Sequence, residues 1–110
     1  MKIKNQRCAY KNKKVDFTST NAVDILAPAT NTTAIIKSML LSDDGGGSNF
    51  TMVIVNGSDT FNVFNGGSIA SNATSELLTH PMVLQNGDTL KITAATADRL
   101  HLVMSYLEVS

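Results

Sequence analysis

Cys8, His80 and His101 are the side chains of this 110-residue sequence best suited to act as nucleophile, base or soft metal ligand. A thiol nucleophile needs a base oriented beside it, and Cys8 lies far along the chain from both histidines. It is read as a spectator thiol. His80 precedes Pro81 in a loop, and His101 lies in a strand-like segment. Neither has a cysteine or acid at ligand spacing, so no zinc site is expected. Asp43 and Asp44 precede Gly45, Gly46 and Gly47, which suggests an oxygen-rich cation loop. Three glycines supply no side-chain ligands, however, and the alternation of a calcium loop is missing. No Gly-Lys-Ser/Thr ending follows, so this is no phosphate loop either; a solvated, flexible turn is expected. A paired-carboxylate hydrolase would want a cleft lined with aromatic rings, and the chain has two Tyr, four Phe and no Trp. These residues point away from an enzyme, with neither cofactor nor metal.

The elements that would position such residues are strands. No period-3.6 pattern is sustained over ten residues. VDFTS (15–19) reads as a weak first strand, and AVDILA as a second that stops at Pro28, which cannot donate to a ladder. TAIIKSMLLSD is a long apolar strand, partly buried on both faces. FTMVIV and TFNVF flank NGSD, where Asn56-Gly57 suits the positive φ angles of a tight hairpin. NGGSIASNATS reads as a loop, and SELLT and MVL as short pieces. In VLQNGDTLKI, Asn86-Gly87 is expected to close a hairpin onto DTLKITAAT, with Leu90 and Ile92 on one face and Lys91 and Thr93 on the other. In the last strand, RLHLVMSYLEV, alternation points Leu100, Leu102, Met104 and Tyr106 one way. The opposite face, His101, Val103, Ser105 and Leu107, is mixed, which implies partial cover by another strand or subunit. Eight or so strands near ten-residue spacing predict one all-β domain, an antiparallel β-sandwich or jelly roll.

Composition agrees with one small domain. The chain suffices for a single core without disulfide staples, and with one cysteine no intrachain disulfide can form. A reduced compartment is expected, or an exterior fold that does not depend on oxidation. Charged residues are only 16%, and 10 Asn, 10 Ser and 12 Thr carry the polarity instead. The first residues hold no apolar signal-like region and no stretch of about 18 apolar residues occurs. Neither classical secretion nor a membrane partner is therefore expected. The sequons starting at Asn31, Asn49, Asn56 and Asn72 are read as by-products of this composition. Net charge is zero but polarised: residues 1–14 carry Lys2, Lys4, Arg7, Lys11, Lys13 and Lys14 with no acid, and the rest holds three cations against nine acids. A basic N-terminal arm (1–14) thus precedes an acidic body (15–110). The arm could grip phosphates, but the acidic body would repel a duplex, and no nucleic-acid partner is expected. It could equally dock on an acidic neighbouring subunit, or stay solvated.

Three phrases in order, ILAPATNTTAIIKSMLLSD, FTMVIVNGSDTFNVF and LLTHPMVLQNGDTLKITAATADRLHLVMSYLEV, resemble a recurrent type of small all-β tailed-bacteriophage virion protein. In that type a Pro-containing turn leads into a long apolar strand, then a central hairpin, an L-x-x-GD-x-L phrase and a closing S-Y-L-E-V strand. The likeness covers residues 17–109 and leaves out the basic arm. It implies a non-enzymatic structural protein of the virion, assembled in the host cytoplasm, most simply a capsid decoration (cement) protein. Such a protein would bind the major capsid protein or another virion protein, often as a homotrimer. A tail- or fibre-associated protein is the alternative within that class. A carbohydrate- or host-surface-binding module, presenting DDGGGSN and NGGSIASNATS, is the alternative outside it. The candidate interface comprises Lys2, Lys4, Arg7, Lys11, Lys13, Lys14, His101, Val103 and Leu107.

Overall fold

A computed structural model describes residues 7–110, which form nine strands and no helix. They are β1 (Cys8–Asp16), β2 (Val23–Leu26), β3 (Thr33–Asp43), β4 (Ser48–Asn56), β5 (Asp59–Ile69), β6 (Thr74–Glu76), β7 (Met82–Leu84), β8 (Asp88–Ala94) and β9 (Leu100–Val109). All pairings are antiparallel. The chain folds as a long ribbon that doubles back at the β4–β5 hairpin. Along it β3 meets β6 and β7, β2 meets β8, and β1 meets β9. Rolled up, the ribbon gives two further pairings, β9 with β3 and β8 with β4. The result is one sheet in the order β1-β9-β3, with β6 and β7 both along the far side of β3, and a second in the order β2-β8-β4-β5. Two stacked antiparallel sheets, of five and four strands, wound in this way make a jelly-roll sandwich.

Alternation of side chains does the folding work. Ile36, Met39 and Leu41 of β3 and Leu100, Leu102 and Met104 of β9 are fully buried, and they face Met52, Leu90 and Ile92 of the second sheet. Each such side chain contributes roughly 1.5–3 kcal/mol on leaving water. A β-bulge between Ile36 and Ser38 resets the alternation in β3, which is why Ile36 and Met39, three residues apart, both point inward. At the rim, Phe17 is buried and bound to β9 through its amide and the Leu100 carbonyl.

The first strand lies at Cys8–Asp16 rather than at 15–19. The change of charge between residues 14 and 15 therefore falls inside an element paired along its whole length with β9. Lysines can occupy this strand because it borders the open side of the sandwich, where long stems cover apolar surface and heads find acceptors. Lys11 pairs with Glu108 at 3.0 Å, and Lys13 donates to the Ile25 carbonyl of the second sheet at 2.6 Å. The turn at VLQNGDTLKI also differs from expectation. Asn86 and Gly87 do not close a hairpin, since β7 pairs with β3 while β8 pairs with β2 and β4. The turn carries the chain from one sheet to the other, with Gly87 at φ +98°, a conformation glycine adopts without steric cost. In the β4–β5 hairpin the positive φ falls on Gly57, not on Asn56. NGGSI, expected as loop, extends β5.

Candidate functional site

Residues directly opposite each other on paired strands share a face, so register maps the outer side of the first sheet. One row runs Tyr10, Leu107, Ile35, Val83 across β1, β9, β3 and β7. Next comes a low row of Asn12, Ser105 and Ser38, and then Lys14, Val103, Leu40 and Glu76. The ends are closed by Cys8, Val109 and Thr33 on one side and by Asp16, His101 and Ser42 on the other. Tyr10 is 81% exposed, Val83 53%, Val103 46% and Leu40 40%. Among the described residues these are four of the five large hydrophobics left exposed, the fifth being Phe61 on β5. Single exposed apolar side chains are ordinary, whereas a cluster on one face marks an interaction surface.

Of the residues proposed from sequence, His101, Val103 and Leu107 all lie on this face, as does Lys14. Lys14 is exposed and has no ion-pair partner among the described residues. Lys11 and Lys13 point to the opposite side of β1 and are engaged within the fold. Arg7 exchanges two backbone hydrogen bonds with Ser110. Lys2 and Lys4 lie outside the described residues. Tyr10, Ile35, Leu40 and Val83 were not identified from sequence, because only strand register reveals that they continue the row through Val103 and Leu107.

The acidic end of the face is built around His101. Its Nδ1 lies 2.7 Å from Asp16 Oδ1 and its Nε2 3.0 Å from Asp44 Oδ2. Hydrogen bonds to Asp44 and then Asp16 hold the imidazole pKa above its ordinary value. The two carboxylates flank the ring on opposite sides, so they clamp β1, β9 and the β3–β4 loop together. Cys8 sits at the other end of β1, about 27 Å away along the strand, and no thiol–imidazole pair forms. Among the described residues no three His, Cys, Asp or Glu side chains are grouped to hold a metal ion.

The glycine loop is tied down rather than loose. Asp43 is buried, and its Oδ1 accepts the N–H groups of Gly45, Gly47 and Asn72. Burial pushes this carboxyl up, but those three hydrogen bonds and the Arg99 charge outweigh it and leave the pKa below the usual carboxylate range. Arg99 donates to the Gly47 carbonyl. DDGGGSN and NGGSIASNATS are thereby brought together around a polar cavity of about 450 Å³, and a second cavity of about 430 Å³, mixed in character, lies beside Asn31, Thr33 and Asn86. No aromatic ring lines either one, so neither offers a stacking platform for a sugar.

No protein-family profile and no curated protein matches the chain. Among solved structures, the fold is similar to that of Bacillus endospore appendages, described as a novel family of disulfide-linked pili. That match has a TM-score of 0.54 and 17% identity, and covers 96% of this chain and 89% of the other. At that identity the likeness shows the fold alone. A second, looser match is to the virus-like particle of the giant freshwater prawn Macrobrachium rosenbergii extra small virus, with TM-score 0.45, 16% identity, and 99% and 81% coverage.

Proposed function

We propose that this protein is a non-enzymatic structural subunit of a virion, of the bacteriophage capsid decoration type, that works by burying surface against neighbouring subunits. The observation that carries the reading is the apolar row Tyr10–Leu107–Ile35–Val83, with Val103 and Leu40 beside it, in which Tyr10, Val83, Val103 and Leu40 are exposed and Leu107 and Ile35 half-buried on one sheet face. A jelly roll with such a face is suited to docking. The basic N-terminal segment, with Lys2, Lys4 and Arg7, is assigned to the major capsid protein, where an acidic surface would complement it. The resemblance implies three copies about a local three-fold axis. Fractionation of producing cells tests the reading: the protein should travel with assembled particles in fixed stoichiometry, and its confinement to the soluble fraction would overturn it.

A filament or tail subunit is the second reading, favoured by the fold shared with pilus-forming appendages. Cys8, the one cysteine of this sequence, is exposed at the start of β1. A single thiol links chains in pairs only, so a filament of this sequence would rest on non-covalent contacts.

A further inference from the structure

We infer that the outer face of the first sheet is a two-fold interface, and that its occupant is a second copy of this chain. The inference rests on the reading of that face as a docking surface and names its partner. The two four-residue rows are self-complementary from edge to edge. Place a two-fold axis parallel to the strands, midway between β9 and β3, and every row meets its own reverse. Val103 then lies over Leu40 of the second copy, Leu107 over Ile35, and Ser105 over Ser38. At the margins, the largest exposed side chain, Tyr10 on β1, covers the smaller Val83 on β7. In the third row the cation Lys14 on one edge meets the anion Glu76 on the other. Glu76 is negative at neutral pH: burial raises its pKa, but hydrogen bonds from Ser38 and from the backbone of Met39, Leu78 and Leu77 outweigh this and hold it below the ordinary carboxylate value. Two such ion pairs form, one on each side of the axis. Charge complementarity of this kind fixes orientation and suppresses other registers.

Area points the same way. With strands spaced about 4.8 Å apart and rising about 3.4 Å per residue, nine residues each from β1, β9 and β3 and the three each of β6 and β7 present roughly 540 Å² per copy. A pair would bury about 1,100 Å², just above the ~1,000 Å² that a specific interface needs. Two sheets stacked about 10 Å apart repeat the packing that already joins the halves of the sandwich. The contact is therefore specific but modest, and exchange between monomer and dimer is reversible. Lys37, the extra residue of the β3 bulge, is the one charged residue of β3 within this outline. Its burial opposes pairing.

Cross-linking tests the register. Tyr10 and Val83 stand three strand spacings apart within one chain, about 14 Å, too far for an internal disulfide, whose Cα atoms lie within about 7 Å. Across the proposed axis they face each other over the sheet spacing of about 10 Å, which a short bis-thiol linker spans and a direct disulfide does not. In a Cys8→Ser background, the double variant Tyr10→Cys/Val83→Cys treated with a bis-maleimide linker shorter than the intrachain separation of about 14 Å should give a covalent dimer, while each single variant stays monomeric on a denaturing gel. Sedimentation equilibrium of the unmodified chain should show two copies at high concentration, or six where the three-fold contact also forms. Lys14→Glu should weaken the association about tenfold, and Lys37→Ala should strengthen it. Single variants that cross-link as well as the double, no cross-link at all, or a monomer or bare trimer at every concentration would overturn the inference. A dimer that never enters particles would instead refute the virion reading and leave this one standing.

Discussion

Leu102 and Val103 are neighbours in β9 that the fold sends to opposite sides, and truncating each should give opposite results. Leu102 is 1% exposed and packs in the core between the sheets; Val103 is 46% exposed on the outer face. Leu102→Ala removes buried methyl groups and leaves a cavity, at a cost of about 2–5 kcal/mol. A domain of this size is stable by roughly 5–15 kcal/mol in all, so the loss is a large share of the total. At about 4 °C per kcal/mol, the midpoint of thermal unfolding falls by about 8–20 °C. Val103→Ser removes no core contact and lowers strand propensity slightly, so its cost stays within about 1 kcal/mol. Circular dichroism melts of both variants, at a protein concentration low enough to keep the chain monomeric, make the comparison. At higher concentration a gap should open between Val103→Ser and the parent, because self-association stabilises only the parent. Equal destabilisation of both variants at low concentration would refute the assignment of faces.

His101 should make stability depend mildly on pH. Its pKa is raised in the fold by Asp44 and Asp16, so its contribution is complete below the unfolded value of about 6.5 and fades as pH rises through the folded value. With 38% of the side chain exposed, screening limits the effect to under about 0.5 kcal/mol. His101→Gln should flatten the pH profile in that window, and an unchanged profile would count against the clamp. Asp43→Ala should release the amides of Gly45, Gly47 and Asn72, seen as faster hydrogen exchange at those three positions. In the parent the same protection should weaken in acid, as pH falls through the depressed Asp43 pKa. Gly67→Ala should cost about 1–3 kcal/mol by overpacking, since a Cβ there would stand 2.5 Å from the ring of Phe50, which is buried beside Phe64. An unaltered melting temperature would show that β5 packs otherwise.

Much of this architecture was legible in residue order because period-2 alternation is a strong local signal. Leu100, Leu102, Met104 and Tyr106 are buried as their spacing predicts, and β3 matches TAIIKSMLLSD from end to end. The misses arose where tertiary context decides. Lys11, Lys13 and Lys14 look like a solvated arm, yet they sit in an edge strand because Glu108 and the Ile25 carbonyl lie within reach. Asn86-Gly87 has hairpin chemistry, but whether a turn joins strands of one sheet or crosses between two depends on where β7 and β8 find partners. The proposed interaction face was half visible: alternation along β9 set His101, Val103 and Leu107 on one side. Tyr10, Leu40 and Val83 belong to other strands, and only long-range register puts them in the same rows. The β3 bulge further concealed Leu40, since a strict alternation starting from Ile36 would have sent it inward.

The outer face of the first sheet is the surface proposed to hold this protein in an assembled particle. The direct measurement is quantitative mass spectrometry across a density gradient of lysate from producing cells, comparing the parent chain with a Val103→Lys/Leu107→Lys variant. Such a role for this face predicts the parent in the particle fractions at constant stoichiometry, and the folded variant displaced to the top of the gradient. A parent chain found only in the soluble fractions, or a variant that still co-migrates with particles, would contradict it.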